Sequence, residues 1–201
     1  ETAREPVLCA DASGFFAAWL DDRNGFSDIY FSRSIDGGAS WSPSDMRVDT
    51  DAPGSGISVT PEICCDGNNI YVVWTDFRNL PLPDIYLNSS SDGGASFMPS
   101  DVRVDHSPPG SAASGAPTLC CTGSTVYVSW FDNRNGMDDV FFNVSTDNGA
   151  TFLPIDHRLD TDPAGTAFSI FPQLCCEGSN VWAVWEDGRN GTPLNLSLIH
   201  I

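Results

Sequence analysis

The sequence predicts an all-β fold, a β-propeller of four-stranded antiparallel blades, and three observations carry that expectation. Trp19, Trp74, Trp130 and Trp185 recur at intervals of 55, 56 and 55 residues, each closing an apolar run. Two residues after each Trp comes an Asp, then a variable residue and Arg-Asn, as in Asp76, Arg78 and Asn79. No stretch shows a helical period, whereas β-branched and aromatic residues fill short runs bounded by Gly, Asn, Asp and Pro. Self-similarity at this period marks a blade array, and a two-sheet sandwich does not require it.

The second unit shows each element in order. Its first strand is expected at about 61–65, after the Pro that starts every unit. The second, at 70–76, is Ile-Tyr-Val-Val-Trp-Thr-Asp, apolar at consecutive positions, so both its faces should be covered. A third, at 84–90, opens with Asp84, and a fourth, at 97–104, leads into Arg103-Val104-Asp105. Blades are expected at about 7–49, 61–105 and 116–160, with half of another at 172–195. At residues 196–201, Leu-Ser-Leu-Ile-His-Ile, the repeat dissolves, and the segment matches the in-frame translation of a common transposon-end sequencing adaptor. It is expected to be an adaptor-derived tail, an apolar strand being the alternative.

Between the third and fourth strands lies Ser-x-Asp-x-Gly-x-(Ser/Thr)-(Trp/Phe). It occurs as Ser34, Asp36, Gly38 and Trp41, as Ser90, Asp92, Gly94 and Phe97, and as Ser145, Asp147, Gly149 and Phe152. In such a hairpin the carboxylate can accept turn amides, Gly can supply positive φ, and the ring can pack beneath. These segments resemble the Asp boxes (BNR repeats) of the sialidase/neuraminidase β-propeller superfamily, and the resemblance spans residues 6–195. It implies six blades, of which a truncated fragment is present here; self-association into a ring is the less favoured way to cover the open edges. It also implies a ligand site on the top face, above the central channel. Arg4, in Arg4-Glu5-Pro6, resembles the Arg-Ile-Pro arginine that binds sialate carboxylate in that family. Arg23 falls where those enzymes place a second site arginine, and Asp28 falls near their acid/base aspartate. Two arginines for a carboxylate and an Asp to shuttle a proton make chemical sense. The family's nucleophilic Tyr and its Glu partner come from later blades, and Tyr30, Tyr71, Tyr86 and Tyr127 are repeat-locked strand residues here.

Residues that break the repeat are the better ligand candidates, because a propeller has one site while architecture is copied into every blade. After the Pro that starts each first strand stand Val7, Glu62, Thr118 and Gln173. Glu62, Thr118 and Gln173 are accordingly the candidate ligand-binding residues. Repeated arginines (Arg23, Arg78, Arg134, Arg189, Arg47, Arg103 and Arg158) are expected to pair with repeated Asp residues and tie strand ends together.

The formal charge is −18, with no Lys. This argues against a nucleic-acid partner, which needs a basic face, and no apolar run is long enough for membrane insertion by a helix. The seven cysteines, Cys9, Cys64/Cys65, Cys120/Cys121 and Cys175/Cys176, do not have zinc-site spacing. Buried free thiols are the default reading, with vicinal disulfides or bridges between neighbouring inner strands as the alternative for an exported protein. Asp49-Thr50-Asp51 and Asp160-Thr161-Asp162 offer oxygens to Ca²⁺ but complete no known loop, so a solvated connector is preferred. No metal or cofactor is assigned, nor any role to His106 or His157. The expected function is an extracellular or cell-surface module that recognises a glycan or protein ligand through its top face. The alternative is an exo-sialidase-type glycoside hydrolase completed by residues in further blades. Oligomeric state is not legible.

Overall fold

The computed structural model describes residues 2–191 and 194–201. Strands β1 (Ala3–Asp11), β2 (Gly14–Asp21), β3 (Asp28–Ser34) and β4 (Met46–Arg47) form the first antiparallel sheet. The second contains β5 (Ser58–Asp66), β6 (Asn69–Asp76), β7 (Asp84–Ser90) and β8 (Val102–Arg103), in that order. β9 (Ser114–Thr122), β10 (Thr125–Asp132), β11 (Asp139–Ser145) and β12 (His157–Arg158) form the third. The fourth has β13 (Ser169–Glu177), β14 (Asn180–Asp187) and β15 (Asn195–His200).

One expected element shortens, and residues 195–200 form a strand. The fourth strand of each four-stranded sheet has only two residues, because Pro43, Pro99 and Pro154 interrupt the runs that begin at Trp41, Phe97 and Phe152. In the second sheet two isolated bonds, Met98 N to Ser89 O at 3.0 Å and Val104 N to Ile85 O at 2.8 Å, extend that pairing. The segment set apart as a tail is β15, paired with β14 through Trp185 and Ser197 just as Trp74 pairs with Tyr86. Asn195 stands opposite Asp187, where the other sheets carry Asp28, Asp84 and Asp139.

Consecutive sheets stack face to face, and their first strands, β1, β5, β9 and β13, follow one another along the inside of the stack. One apolar layer joins Phe16, Phe31 and Val48 to Ile70, Val72 and Trp74. The next joins Tyr71, Val73 and Leu87 to Val126, Val128 and Trp130, and the last joins Val140 and Phe142 to Val181 and Trp185. This sandwiching explains why the second strands are apolar on both faces.

The Ser-x-Asp turns are built as their residues predict. Asp92 accepts hydrogen bonds from Ser90 Oγ at 2.7 Å, Ala95 N and Ser96 N at 2.9 Å, and Ser96 Oγ at 2.6 Å. Asp36 and Asp147 accept the equivalents of the three bonds from the flanking Ser or Thr residues, and hydrogen bonding brings Asp36 down to about 2. These turns lie beside the turns between first and second strands, as Gly93 N donating to Asn68 O shows. The rings of the second and third turns pack on the preceding sheet: Phe97 meets Phe31 edge-on at 4.9 Å, and Phe152 lies against the second layer. Trp41, in the first sheet, is 44% exposed. Gly94 has φ +74, and a Cβ there would lie 2.6 Å from the Phe31 ring, whereas one on Gly38 meets nothing within 4 Å. Gly94→Ala is therefore expected to destabilise by about 2 kcal/mol in urea unfolding, and Gly38→Ala by about half that.

The cysteine default is overturned. Cys9 is bonded to Cys65 and Cys64 to Cys121, each bridge linking neighbouring sheets with Cα atoms 6.0 and 6.1 Å apart. Adjacent residues of a strand point to opposite faces, so a Cys-Cys pair on an inner strand reaches both the preceding and the following sheet. Cys120, Cys175 and Cys176 are free thiols.

Candidate functional site

The site begins with an irregularity copied into all four first strands. Glu5-Pro6, Thr60-Pro61, Ala116-Pro117 and Phe171-Pro172 each set two residues against a single repeat Trp, the signature of a β-bulge. The residue before each Pro has positive φ: 52° at Glu5, 49° at Thr60, 45° at Ala116 and 52° at Phe171. Four non-glycine residues held in the left-handed region cost backbone energy that the surrounding sheets must offset, a pattern that clusters at ligand sites. Pro fits because a bulge leaves no ladder bond for its missing N–H.

Together the bulges line a pocket of about 410 Å³ that crosses all four inner strands. Four prolines and Val7 form an apolar floor; Glu5, Thr60, Glu62, Phe171 and Gln173 supply polar groups and a ring. Glu5 Oε2 accepts from Thr60 N at 3.1 Å, joining the first sheet to the second across the pocket. Burial pushes the Glu62 carboxyl up from its ordinary value. Phe171 is 53% exposed and stands edge-on to Phe131, leaving its own ring open to a ligand. The pocket lining includes no arginine.

Of the residues singled out from sequence, Glu62 and Gln173 meet in this pocket and Thr118 does not. Thr118 is 6% exposed, opposite Ser129 within the third sheet. Glu5 and Phe171 were missed as ligand candidates. Their signal was present, since each precedes the repeated Pro and differs in every unit, but only the bulge turns that position inward.

Arg4, Arg23 and Asp28 each have their own charged or hydrogen-bonding partners. Arg4 lies 3.9 Å from Asp22 and is exposed. Arg23 binds Asp21 at 2.6 Å and Asp45 at 2.9 Å, with its guanidinium over the Tyr30 ring at 4.1 Å. Arg78 repeats that arrangement with Asp76, Asp101 and Tyr86, and Arg134 with Asp132, Asp156 and Phe141. Asp28 is 1% exposed and accepts from Asn24 Nδ2 at 2.8 Å and Gly54 N at 2.9 Å. Asp84 and Asp139 accept the same set from Asn79 with Gly110 and from Asn135 with Gly165. Arg23 and Asp28 thus hold the places of repeated structural residues, tying loops to connectors on one face of the molecule. The tyrosines are pinned as well: Tyr71 Oη donates to Gly123 O, and burial raises it to about 12.

The connectors are largely exposed, as at Thr50 and Thr161, but the first acid of each is buried. Asp49 and Asp160 are each 3% exposed. Oxygens of Asp28, Asp49 and Asp51 lie within 4.8 Å of one another. The Arg47 guanidinium already sits among them, with Nε 3.4 Å from Asp28 and 3.2 Å from Asp49, and Nη2 2.8 Å from Asp51. A cation of the Ca²⁺ type would have to displace it, so the donor set fits an internal ion pair better than a metal. His106, given no role from sequence, clasps the next sheet: its N donates to Asp156 Oδ2 at 2.7 Å and its Nδ1 lies 3.0 Å from Oδ1.

Solved structures share this architecture. The α-L-arabinanase of Penicillium chrysogenum, complexed with arabinobiose, superposes with a TM-score of 0.64 at 16% identity, over 98% of this chain and 62% of that one. The α-L-arabinofuranosidase of Fusarium graminearum with arabinobiose gives 0.67 at 15% identity, over 98% and 61%. The fold is a β-propeller. Trypanosoma rangeli sialidase with sialic acid, at TM-score 0.62 and 13% identity, matches all of this chain with 36% of its own. The present propeller chain thus spans about three-fifths of the length of the first two. The sequence matches no protein-family model and no curated protein.

Proposed function

We propose that the chain is an extracellular propeller module that binds a neutral saccharide in the pocket formed by its four bulges. The observation that supports this most directly is the pocket's composition: two carboxylates, an amide and an accessible phenyl ring over an apolar floor, with no arginine. Carboxylate and amide oxygens accept from sugar hydroxyls, and an aromatic face packs against the C–H side of a sugar ring. A sialate carboxylate would meet Glu5 and Glu62 with no cation to offset them, in a chain of net charge −18. The two inter-sheet disulfides support an oxidising, extracellular setting.

A second reading, a glycoside hydrolase completed by residues outside this chain, is favoured by Glu62. A carboxyl raised by burial and lining a pocket is suited to general-acid work. One experiment addresses both readings. Titration calorimetry with neutral arabino- and gluco-oligosaccharides and with sialyllactose should give binding to a neutral sugar only. Glu62→Gln should weaken it by about tenfold or more. Release of a chromogenic group from an aryl arabinofuranoside, abolished by Glu62→Gln, would move the chain to the hydrolase class. Selective binding or cleavage of the sialoside, sensitive to Arg4→Ala, would instead restore the sialidase reading.

A further inference from the structure

The disulfides follow a rule that the chain has not exhausted. In each bridge the first cysteine position of one inner strand bonds the second position of the next: Cys9 with Cys65, then Cys64 with Cys121. Cys9 is a first-position residue, since it stands opposite Phe16 as Cys64 stands opposite Tyr71. The second position of that strand is Ala10, so the series has no member reaching back from the first sheet. Applied once more in the forward direction, the rule names Cys120 and Cys176.

Their placement agrees on three independent counts. Cys120 stands opposite Tyr127, matching Cys64, and Cys176 stands opposite Val181, matching Cys121 opposite Val126. Both side chains belong to the apolar layer between the third and fourth sheets. Cys176 Sγ donates to Cys121 O at 3.6 Å, which brings it onto the inner strand of the third sheet at the residue next to Cys120. Cys175 points to the opposite face of its strand and is exposed.

We propose that Cys120 and Cys176 form a third inter-sheet disulfide, continuing the ladder into the fourth sheet and leaving Cys175 as the one free thiol of this chain. The bond forms by thiol–disulfide exchange with a small-molecule disulfide such as glutathione disulfide. The Cys176 thiolate, on the more accessible side, attacks one sulfur of the oxidant and releases one thiol. Cys120 then loses its proton and displaces the second thiol from the mixed disulfide. One S–S bond is broken and one made, and the two electrons and two protons end on the two released thiols. The buried Cys120 thiol is raised by desolvation, so it makes a slow first nucleophile and acts as the resolving partner. The inference is independent of any ligand.

The test is a disulfide map of the unmodified chain. Protein incubated with glutathione disulfide is denatured in iodoacetamide, digested without reduction and analysed by mass spectrometry. The expected result is one alkylated cysteine per chain, Cys175, and one cross-linked peptide joining Cys120 to Cys176. Alkylation of Cys120, a Cys175–Cys176 bond, or a Cys120–Cys175 bond would each overturn the proposal. Cys175→Ser should lower the count of alkylated thiols from one to none, and Cys120→Ser should raise it to two. The wild-type map decides the matter even if Cys120→Ser fails to fold.

Discussion

Asp76→Ala is expected to lower the stability of the protein by about 3–5 kcal/mol, because it removes one member of a buried ion pair. Asp76 is fully buried and is a hub: it accepts from Arg78 Nη2 at 2.6 Å, Arg78 N at 2.8 Å, Trp74 Nε1 at 2.7 Å and Ser58 Oγ at 3.3 Å. Truncation strands the Trp74 indole N–H and a loop amide, and it leaves the largely buried Arg78 with Asp101 as its remaining carboxylate. Losing one member of a buried pair costs far more than the pair contributes, because the survivor keeps its desolvation penalty. At about 2–4 °C per kcal/mol for a chain of this size, the midpoint of thermal unfolding should fall by roughly 10 °C. Asp21→Ala removes the equivalent group in the first sheet, but there the Arg23 side chain is 34% exposed. Water can compensate it, so the loss should be about 1 kcal/mol or less. Equal shifts for the two variants, measured by calorimetry under one set of conditions, would show that burial does not set the strength of these repeated pairs.

Acidification from pH 8 to pH 5 is expected to stabilise the protein. Asp28, Asp49 and Asp51 share the single guanidinium of Arg47, and two serine or amide donors complete the surroundings of Asp49, Ile29 N at 3.1 Å and Ser58 Oγ at 3.3 Å. Burial and the neighbouring carboxylates raise Asp49 to about 8, and similar forces raise Asp160 to about 7 beside Asp139, Asp162 and Arg158. A carboxyl whose folded value is raised holds its proton in the folded state when the unfolded chain has lost it. Its stabilisation is complete below about pH 4 and is lost as pH rises toward 7–8. For Asp49 this amounts to at most about 1.4 kcal/mol per pH unit across that window. Lowered groups such as Asp36 and Asp156 act oppositely: their contribution is present above about pH 4 and is lost below it. Maximal stability should therefore fall near pH 4–5. Asp49→Asn should flatten the slope between pH 5 and pH 8 in urea titrations. A slope that survives in both Asp49→Asn and Asp160→Asn would place the proton elsewhere. The second sheet supplies an internal contrast, because Ser107 replaces the third carboxylate and Arg103 faces only Asp84 and Asp105.

The blades were legible because their boundaries are marked by residues with local physical reasons to be there. The second and third strands of the second unit, expected at 70–76 and 84–90, are observed at Asn69–Asp76 and Asp84–Ser90. Asp92 and its serines announce a turn in three places, and each one forms. What the sequence concealed depends on contacts between sheets. A Cys-Cys dipeptide reads locally as two small packing residues; only the stacking of neighbouring strands shows that it points both ways. The connector acids read as solvated because Asp and Thr favour loops, yet the repeated Arg47, Arg103 and Arg158 draw them inside. β15 was hidden because its sequence abandons the repeat while its register on β14 keeps it. The pocket was half visible: Glu62 and Gln173 broke the pattern where a ligand would want them, but Glu5 and Phe171 enter only through the positive φ that the following Pro accompanies.

The staggered bridges also give the chain an unusual mechanical route. Force applied at the amino end reaches Cys9, crosses sulfur to Cys65, passes one peptide bond to Cys64, and crosses sulfur again to Cys121. Along that path the first two sheets are bypassed by covalent bonds, so a molecule held in an optical trap should extend only by the residues outside the bridged span. Under shear at a surface, these sheets would not be drawn out into thread while their sulfurs stay oxidised.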